Sequence, residues 1–340
     1  MPRLPALMLA LILALILPCT LAAQDKPAIV DDVVTGHILP RYAILAQSSA
    51  ALAEAAQTDC MAPNLHEGYA SAFDAWVAVS HLRFGPSETE NRAFALAFWP
   101  DARGATPKTL ARMIGDSDPV VSSADGYADV SIAGRGFYAL EFLLYDDRIN
   151  TMGDTAYRCR LMQAITADIA RLTSAMFDGW ESVYATQMRE PGENSPYRTT
   201  DEAAQELFKA LSTGLEFTAD TRLGRPMGTF ERPSPSRAEA WRSGRSLRHV
   251  TLSLQSLNDL AGRLAAGHPA LADDLRAQFA ISLDRASNLD DPIFAGVTTP
   301  QGRLHVEALQ QTIADIRDTV NMQLGPTLGV AAGFNALDGD

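Results

Sequence analysis

Residues 157–180 read YRCRLMQAITADIARLTSAMFDGW. Leu161, Ile165, Ile169, Leu172, Met176 and Trp180 recur at steps of three and four, the spacing of one apolar face of a helix packed in a bundle. The pattern predicts one long helix over 153–189 and makes helix packing the organising principle of the chain. Period-two alternation of the kind a half-buried strand needs is hard to find on either side of it.

Outward from this segment, helix ends are legible as local chemistry. Ser87-Glu88-Thr89-Glu90, Thr199-Thr200-Asp201-Glu202 and Ser236-Arg237-Ala238-Glu239 each match the capping box, in which a hydroxyl and a carboxylate three residues on satisfy the free amides of a helix start. Stops fall at Gly85-Pro86, Trp99-Pro100, Pro191-Gly192, Gly267 before Pro269, and Gly325-Pro326. Between these marks helices are expected at 27–58 (bent near Pro40), 64–83, 87–98, 106–115, 131–146, 153–189, 199–221, 236–266, 269–287 and 300–323. The fold class is therefore all-α, in two packed helical bundles. The polar, turn-rich stretch EPGENSPYR at 190–198 is the expected boundary, giving an N-terminal bundle over 24–192 and a C-terminal bundle over 193–340. A second long loop is expected at 222–236, and loops of that length in a compact protein are often functional.

The chain opens MPRLPALMLALILALILPCTLAAQ, with Arg3 ahead of an apolar run from Leu4 to Leu17. That run is short for a bilayer span and is followed by a small-residue patch, as in a cleavable secretory signal over residues 1–23. Pro18 before Cys19 argues against a lipoprotein. The product expected is periplasmic or secreted, with no transmembrane segment after cleavage. Losing the signal removes only Arg3 as a charge and leaves 27 basic against 41 acidic residues. Such a chain repels nucleic acid and anionic lipid. Of the three cysteines, Cys60 and Cys159 remain. In an oxidising compartment they read most simply as a disulfide, with two separately buried thiols as the alternative.

The letter that does not belong in GRGFYALEFLLYDD, residues 134–147, is Glu141. A carboxylate inside an apolar run is costly unless paired, hydrogen-bonded or metal-bound. On a helix, Gly134, Tyr138, Glu141, Tyr145 and Arg148 form one stripe. The stripe suggests a buried binding site centred on Glu141, or a helix-to-helix ion pair within the bundle. Arg148, if it reaches Glu141, competes with any metal ion for the carboxylate.

The six histidines, His37, His66, His81, His249, His268 and His305, form no HExxH and no tight His-x3-His pair, and the usual hydrolase and nucleotide motifs are absent. His37 stands out because Pro40 frees carbonyls in the helix beside it. At the chain end, GFNALDGD offers Asp338, Asp340, Asn335 and the terminal carboxylate as hard oxygen ligands for a cation.

Several stretches together resemble the imelysin family of secreted bacterial proteins: HILPRY (37–42), RFGP (83–86), GFYALEFLLY (136–145), RCRLMQAITADIA (158–170), TRLGRPMG (221–228), AEAWRSGRSL (238–247) and GFNALDGD (333–340). The resemblance runs in order along essentially the whole mature chain. It implies an exported, all-helical protein of two bundle-like domains, in a family whose members include named peptidases and proteins tied to iron uptake. The family's Gly-x-His-x-x-Glu motif falls on Gly136 and Glu141, with Tyr138 where the histidine stands. A phenol must lose a proton before it binds a metal and then favours a hard ion such as iron(III), and tyrosine is also a haem ligand. The resemblance thus points to a binding or accessory protein of iron acquisition. Its ligand would be iron or haem, its ligand-binding residues Tyr138, Glu141, His37 and Asp338, and its metal ligands Glu141 and Tyr138. Envelope iron-uptake proteins are the implied partners. The alternatives are an imelysin-type metallopeptidase and a ligand-free helical interaction protein of the cell envelope.

Overall fold

The structure is a computed structural model that describes residues 25–60 and 63–330. The expected signal segment and Asp338 lie outside the described residues. Fifteen α-helices are described: α1 (Lys26–Val33), α2 (Leu39–Thr58), α3 (Pro63–Val77), α4 (Arg92–Leu96), α5 (Ala105–Asp116), α6 (Ala124–Ala128), α7 (Gly136–Tyr145), α8 (Thr155–Gly179), α9 (Ala185–Arg189), α10 (Thr200–Glu216), α11 (Gly224–Met227), α12 (Ser246–Leu264), α13 (Pro269–Leu289), α14 (Pro300–Thr319) and α15 (Gly325–Leu328). Among the described residues the only strand-like pairing is an isolated bridge between Thr229 and Arg232. No described helix is long and apolar enough to cross a membrane.

Helix α8 buries Leu161, Ile165, Ile169, Leu172 and Met176, the face its periodicity predicts. Asp154 caps it by accepting from the Tyr157 amide at 2.7 Å. It packs on α2, which also packs on α3. The Cys60–Cys159 disulfide, with Cα atoms 5.5 Å apart, ties the end of α2 to α8, and Gln163 donates to the Ala56 carbonyl beside it. In the second half α12 packs on α13 and α13 on α14, while α1 crosses to α10 and α12, and α3 meets α12. One continuous apolar core runs from Ile29 to Val330 across both halves.

Four π-helical turns, Val34–Ile38, Trp180–Tyr184, Phe217–Leu223 and Val320–Leu324, extend or join these helices. Such turns place an extra residue per turn and often mark functional positions. The first carries His37 and the third Arg222. The bend expected near Pro40 is thus a π turn just before it. The loop expected at 222–236 begins only after α11, because α10 runs on through the third π turn.

Two of the three capping boxes do not start helices. Thr199 does cap α10, accepting from the Glu202 amide, with the Glu202 carboxylate reaching back to the Arg198 amide. At Ser87 the chain makes two short 3-10 turns with Glu90 and Asn91 at positive φ, and the Ser87 hydroxyl donates to the Leu82 carbonyl. The helix expected over 87–98 shrinks to α4, and the one expected over 64–83 ends at Val77. At Ser236 a 3-10 turn is followed by an irregular segment, so α12 starts ten residues late, at Ser246.

Candidate functional site

Helix α7 carries the odd carboxylate, and three anchors fix it. Arg135, at its N-cap, makes a buried bidentate pair with Asp168 on α8, at 2.8 and 2.9 Å. Tyr127 donates to the Gly134 carbonyl at 2.7 Å. Gly136 has φ +71°, and a Cβ there would lie 2.2 Å from the Leu96 carbonyl oxygen, so glycine is required at the first helical position. Gly134, expected on the helix, sits in the 3-10 turn before it.

Glu141 is 2% exposed. Its Oε1 accepts from the Ser243 amide at 2.9 Å and the Ser243 hydroxyl at 2.8 Å. Burial raises its pKa, partly offset by the two Ser243 bonds and the Arg242 charge. Arg148 does not reach it: α7 ends at Tyr145, and Arg148 is exposed. Arg242 supplies the nearby cation instead. Its Nε donates to Asp146 at 2.9 Å, and its guanidinium lies 3.8 Å from the Phe142 ring centre, clamping the 238–245 segment over α7.

One turn back, the Tyr138 hydroxyl donates to Glu239 Oε1 at 2.6 Å. Glu239 Oε2 accepts from Arg222 Nε, also at 2.6 Å, and His249 Nδ1 lies 3.2 Å away. The remaining Arg222 nitrogens reach Ser253, Thr218 and Ser80. Burial pushes Glu239 up, but Arg222, His249 and the Tyr138 hydrogen bond outweigh it and hold the carboxyl well below the usual range. Burial, the Glu239 charge and the bond to it drive the Tyr138 phenol well above 10.

Tyr138 and Glu141 both line a cavity of about 180 Å³, walled by Trp99, Phe142 and Trp241 and edged by Arg225, Arg237 and Arg242. His37 is not on that cavity. It is fully buried between Asp259 and His81, with Nδ1 2.7 Å from Asp259 Oδ2 and Nε2 3.0 Å from His81 Nε2. Burial lowers its pKa to about 4 despite the Asp259 hydrogen bond. The Arg222 bond to Ser80, next to His81, joins this chain to the Glu239 cluster.

These residues do not fit a bare metal ion. The phenol that stands in place of the family histidine keeps its proton and donates it in a hydrogen bond to Glu239, and Arg222 already supplies the positive charge there. Among the described residues no three His, Cys, Asp or Glu side chains gather as metal ligands. The cavity lies below the about 300–1,000 Å³ of ordinary small-molecule pockets, too small for haem. Sequence reasoning missed Glu239, Arg222, His249, His81 and Asp259 as members of the site; Glu239 was expected as the carboxylate of a capping box and is instead the hub.

The imelysin family model matches residues 38–320. The chain belongs to the imelysin family. This imelysin is 27% identical over 337 residues to iron-regulated protein A of Synechococcus elongatus, covering 89% of this chain and 88% of that one. Its fold matches the crystal structure of an imelysin-like protein from Psychrobacter arcticum 273-4 with a TM-score of 0.79 at 20% identity, over 92% and 98% of the two chains. A structure from Parabacteroides distasonis ATCC 8503 matches with a TM-score of 0.74 at 15% identity, over 89% and 94%.

Proposed function

We propose that this imelysin is an exported binding protein of iron acquisition that takes a small ligand into the cavity over Glu141, and does not work as a metallopeptidase. The carrying observation is that Tyr138, at the position of the motif histidine, is spent on a Glu239–Arg222 ion pair. A hydrolytic metal needs ligands and an open coordination position, and a guanidinium in the site opposes a second cation. The similarity to an iron-regulated protein supports the iron connection. Iron would then arrive already complexed, as part of a small molecule held by the cavity walls. Glu141, with one oxygen bound to Ser243, and the aromatic walls remain available to that ligand.

The test is elemental analysis and an absorbance scan of the protein purified from its native envelope under iron limitation, beside Tyr138→Phe and Ser236→Trp. Ser236 is exposed at the cavity edge, so tryptophan there plugs the cavity without disturbing the core. Iron in the wild type, kept in Tyr138→Phe and lost in Ser236→Trp, is the expected result. An iron-free wild type, or cleavage of protein substrates by metal-loaded protein, overturns the proposal.

A further inference from the structure

The charged groups on the cavity differ in what they already hold. Asp101 spends both oxygens on the Ala105 and Thr106 amides at the start of α5, at 2.9 and 2.8 Å. Glu141 is held by Ser243, and Arg242 by Asp146. Among the described residues the guanidiniums of Arg225 and Arg237 have no hydrogen-bond or ion-pair partner. Arg225 Nε is buried without an acceptor, while the rest of the group lies 5.7 Å over the Trp99 ring. A buried donor without a partner costs stability, and two like charges facing one space add to that cost. Burial and the Arg237 charge accordingly lower the Arg225 pKa. Arg237 itself is exposed to solvent, so the unmet demand falls on the buried Arg225 Nε, and an anion seated between the two guanidiniums would meet it and offset their repulsion.

We infer that Arg225 and Arg237 bind the carboxylate of a small organic anion in this cavity. The inference rests on the binding role proposed above and names the chemistry of the ligand. A guanidinium presents paired N–H groups that match the two oxygens of a carboxylate. Trp99, Trp241 and Phe142 supply apolar walls for an organic body, which a bare inorganic anion does not use. A metal-free carboxylate and a ferric carboxylate complex offer the same group to the two arginines.

The experiment is isothermal titration of the purified full-length protein at low salt and neutral pH with citrate, ferric citrate and inorganic phosphate. The variants are Arg225→Gln, Arg237→Gln and the remote surface control Arg285→Gln. The expected result is saturable one-site citrate binding, weakened about 10-fold or more by each cavity variant, unchanged in Arg285→Gln and not matched by phosphate. Arg237 is exposed, so its variant folds even if Arg225→Gln does not. The inference is overturned if citrate does not bind, if Arg237→Gln binds it as well as the wild type, or if phosphate binds equally well. Citrate bound through both arginines with ferric citrate binding no tighter would leave the anion site standing and remove the iron role.

Discussion

Glu141 and Glu239 are both buried, both bonded across the gap between α7 and the 238–245 segment, and shifted in opposite directions. Glu141 is held by one serine and its pKa rises. Glu239 receives a tyrosine hydroxyl and a guanidinium, with an imidazole beside it, and its pKa falls. Burial is the largest influence on each and pushes both upward; the number and charge of partners decides the outcome. The site thus divides into a locked half, which fastens the two halves of the chain together, and an open half on the cavity, where a carboxylate and two unpaired arginines keep bonding capacity in reserve.

The sharpest way to break this contrast is Glu239→Gln. It leaves Arg222 buried without a counter-charge, and breaking a buried pair from one side costs about 3–5 kcal/mol. Denaturant unfolding should register that loss in full. If Glu239→Gln costs no more than Glu141→Gln, the locked half does not exist.

Acid should test the same division through the histidines behind Glu239. His37, His81 and His249 all have lowered pKa values, His37 to about 4, with burial the first cause in each. The unfolded chain binds a proton at each near 6.5, which the folded chain refuses. Stability from this source is therefore complete above pH 6.5 and is lost below it, down to about 4 for His37 and down to their own lowered values for His81 and His249, by up to about 1.4 kcal/mol per pH unit for each while it lasts. Glu239 keeps its charge through this window, since a lowered carboxylate pKa withdraws stability only below 4.5. Unfolding free energies from pH 7 to 5 should fall with that slope, and a flat profile would mean that the histidines take up protons in the native state.

Tyr138→Phe comes next. Removing a hydrogen bond to a charged acceptor costs about 1.5–3 kcal/mol, while the ring stays packed against Phe73, with centroids 5.3 Å apart. A cost below about 0.5 kcal/mol would show that Arg222 alone sets the Glu239 environment.

The fold was legible wherever helix signals are local. The face of α8 and the Thr199 cap depend on residues within a turn or two of each other, and they formed as expected. The same four-residue pattern failed at Ser236 because Glu239 is claimed by Tyr138, 101 residues away, and by Arg222, 17 residues away; no local rule sees such partners. Glu141 could be found because a carboxylate in an apolar helix contradicts its surroundings, whereas Glu239 sits in a polar stretch where a carboxylate looks ordinary. Arg148 entered as one conditional partner for Glu141 because the stripe assumed that the helix continues. It stops at Tyr145, and Arg242 enters from the second half instead.

The smallest expected effect is the most discriminating. Glu141→Gln keeps an oxygen for the Ser243 amide and hydroxyl and removes a charge that burial disfavours. At neutral pH the variant should be within about 1 kcal/mol of the wild type, with any change in its favour. The sign follows from the raised pKa: what the protonated form of Glu141 contributes is present below 4.5 and lost as pH rises through its folded value, so glutamine, which never ionises, avoids that loss. The advantage of the variant should therefore shrink as pH falls towards 4.5, whereas the penalty of Glu239→Gln should be largest at neutral pH and lessen only in stronger acid. Opposite pH trends for the two glutamine variants would separate a buried carboxylate that the fold depends on, Glu239, from one that it barely uses, Glu141, as the ligand-binding role proposed for the Glu141 half requires.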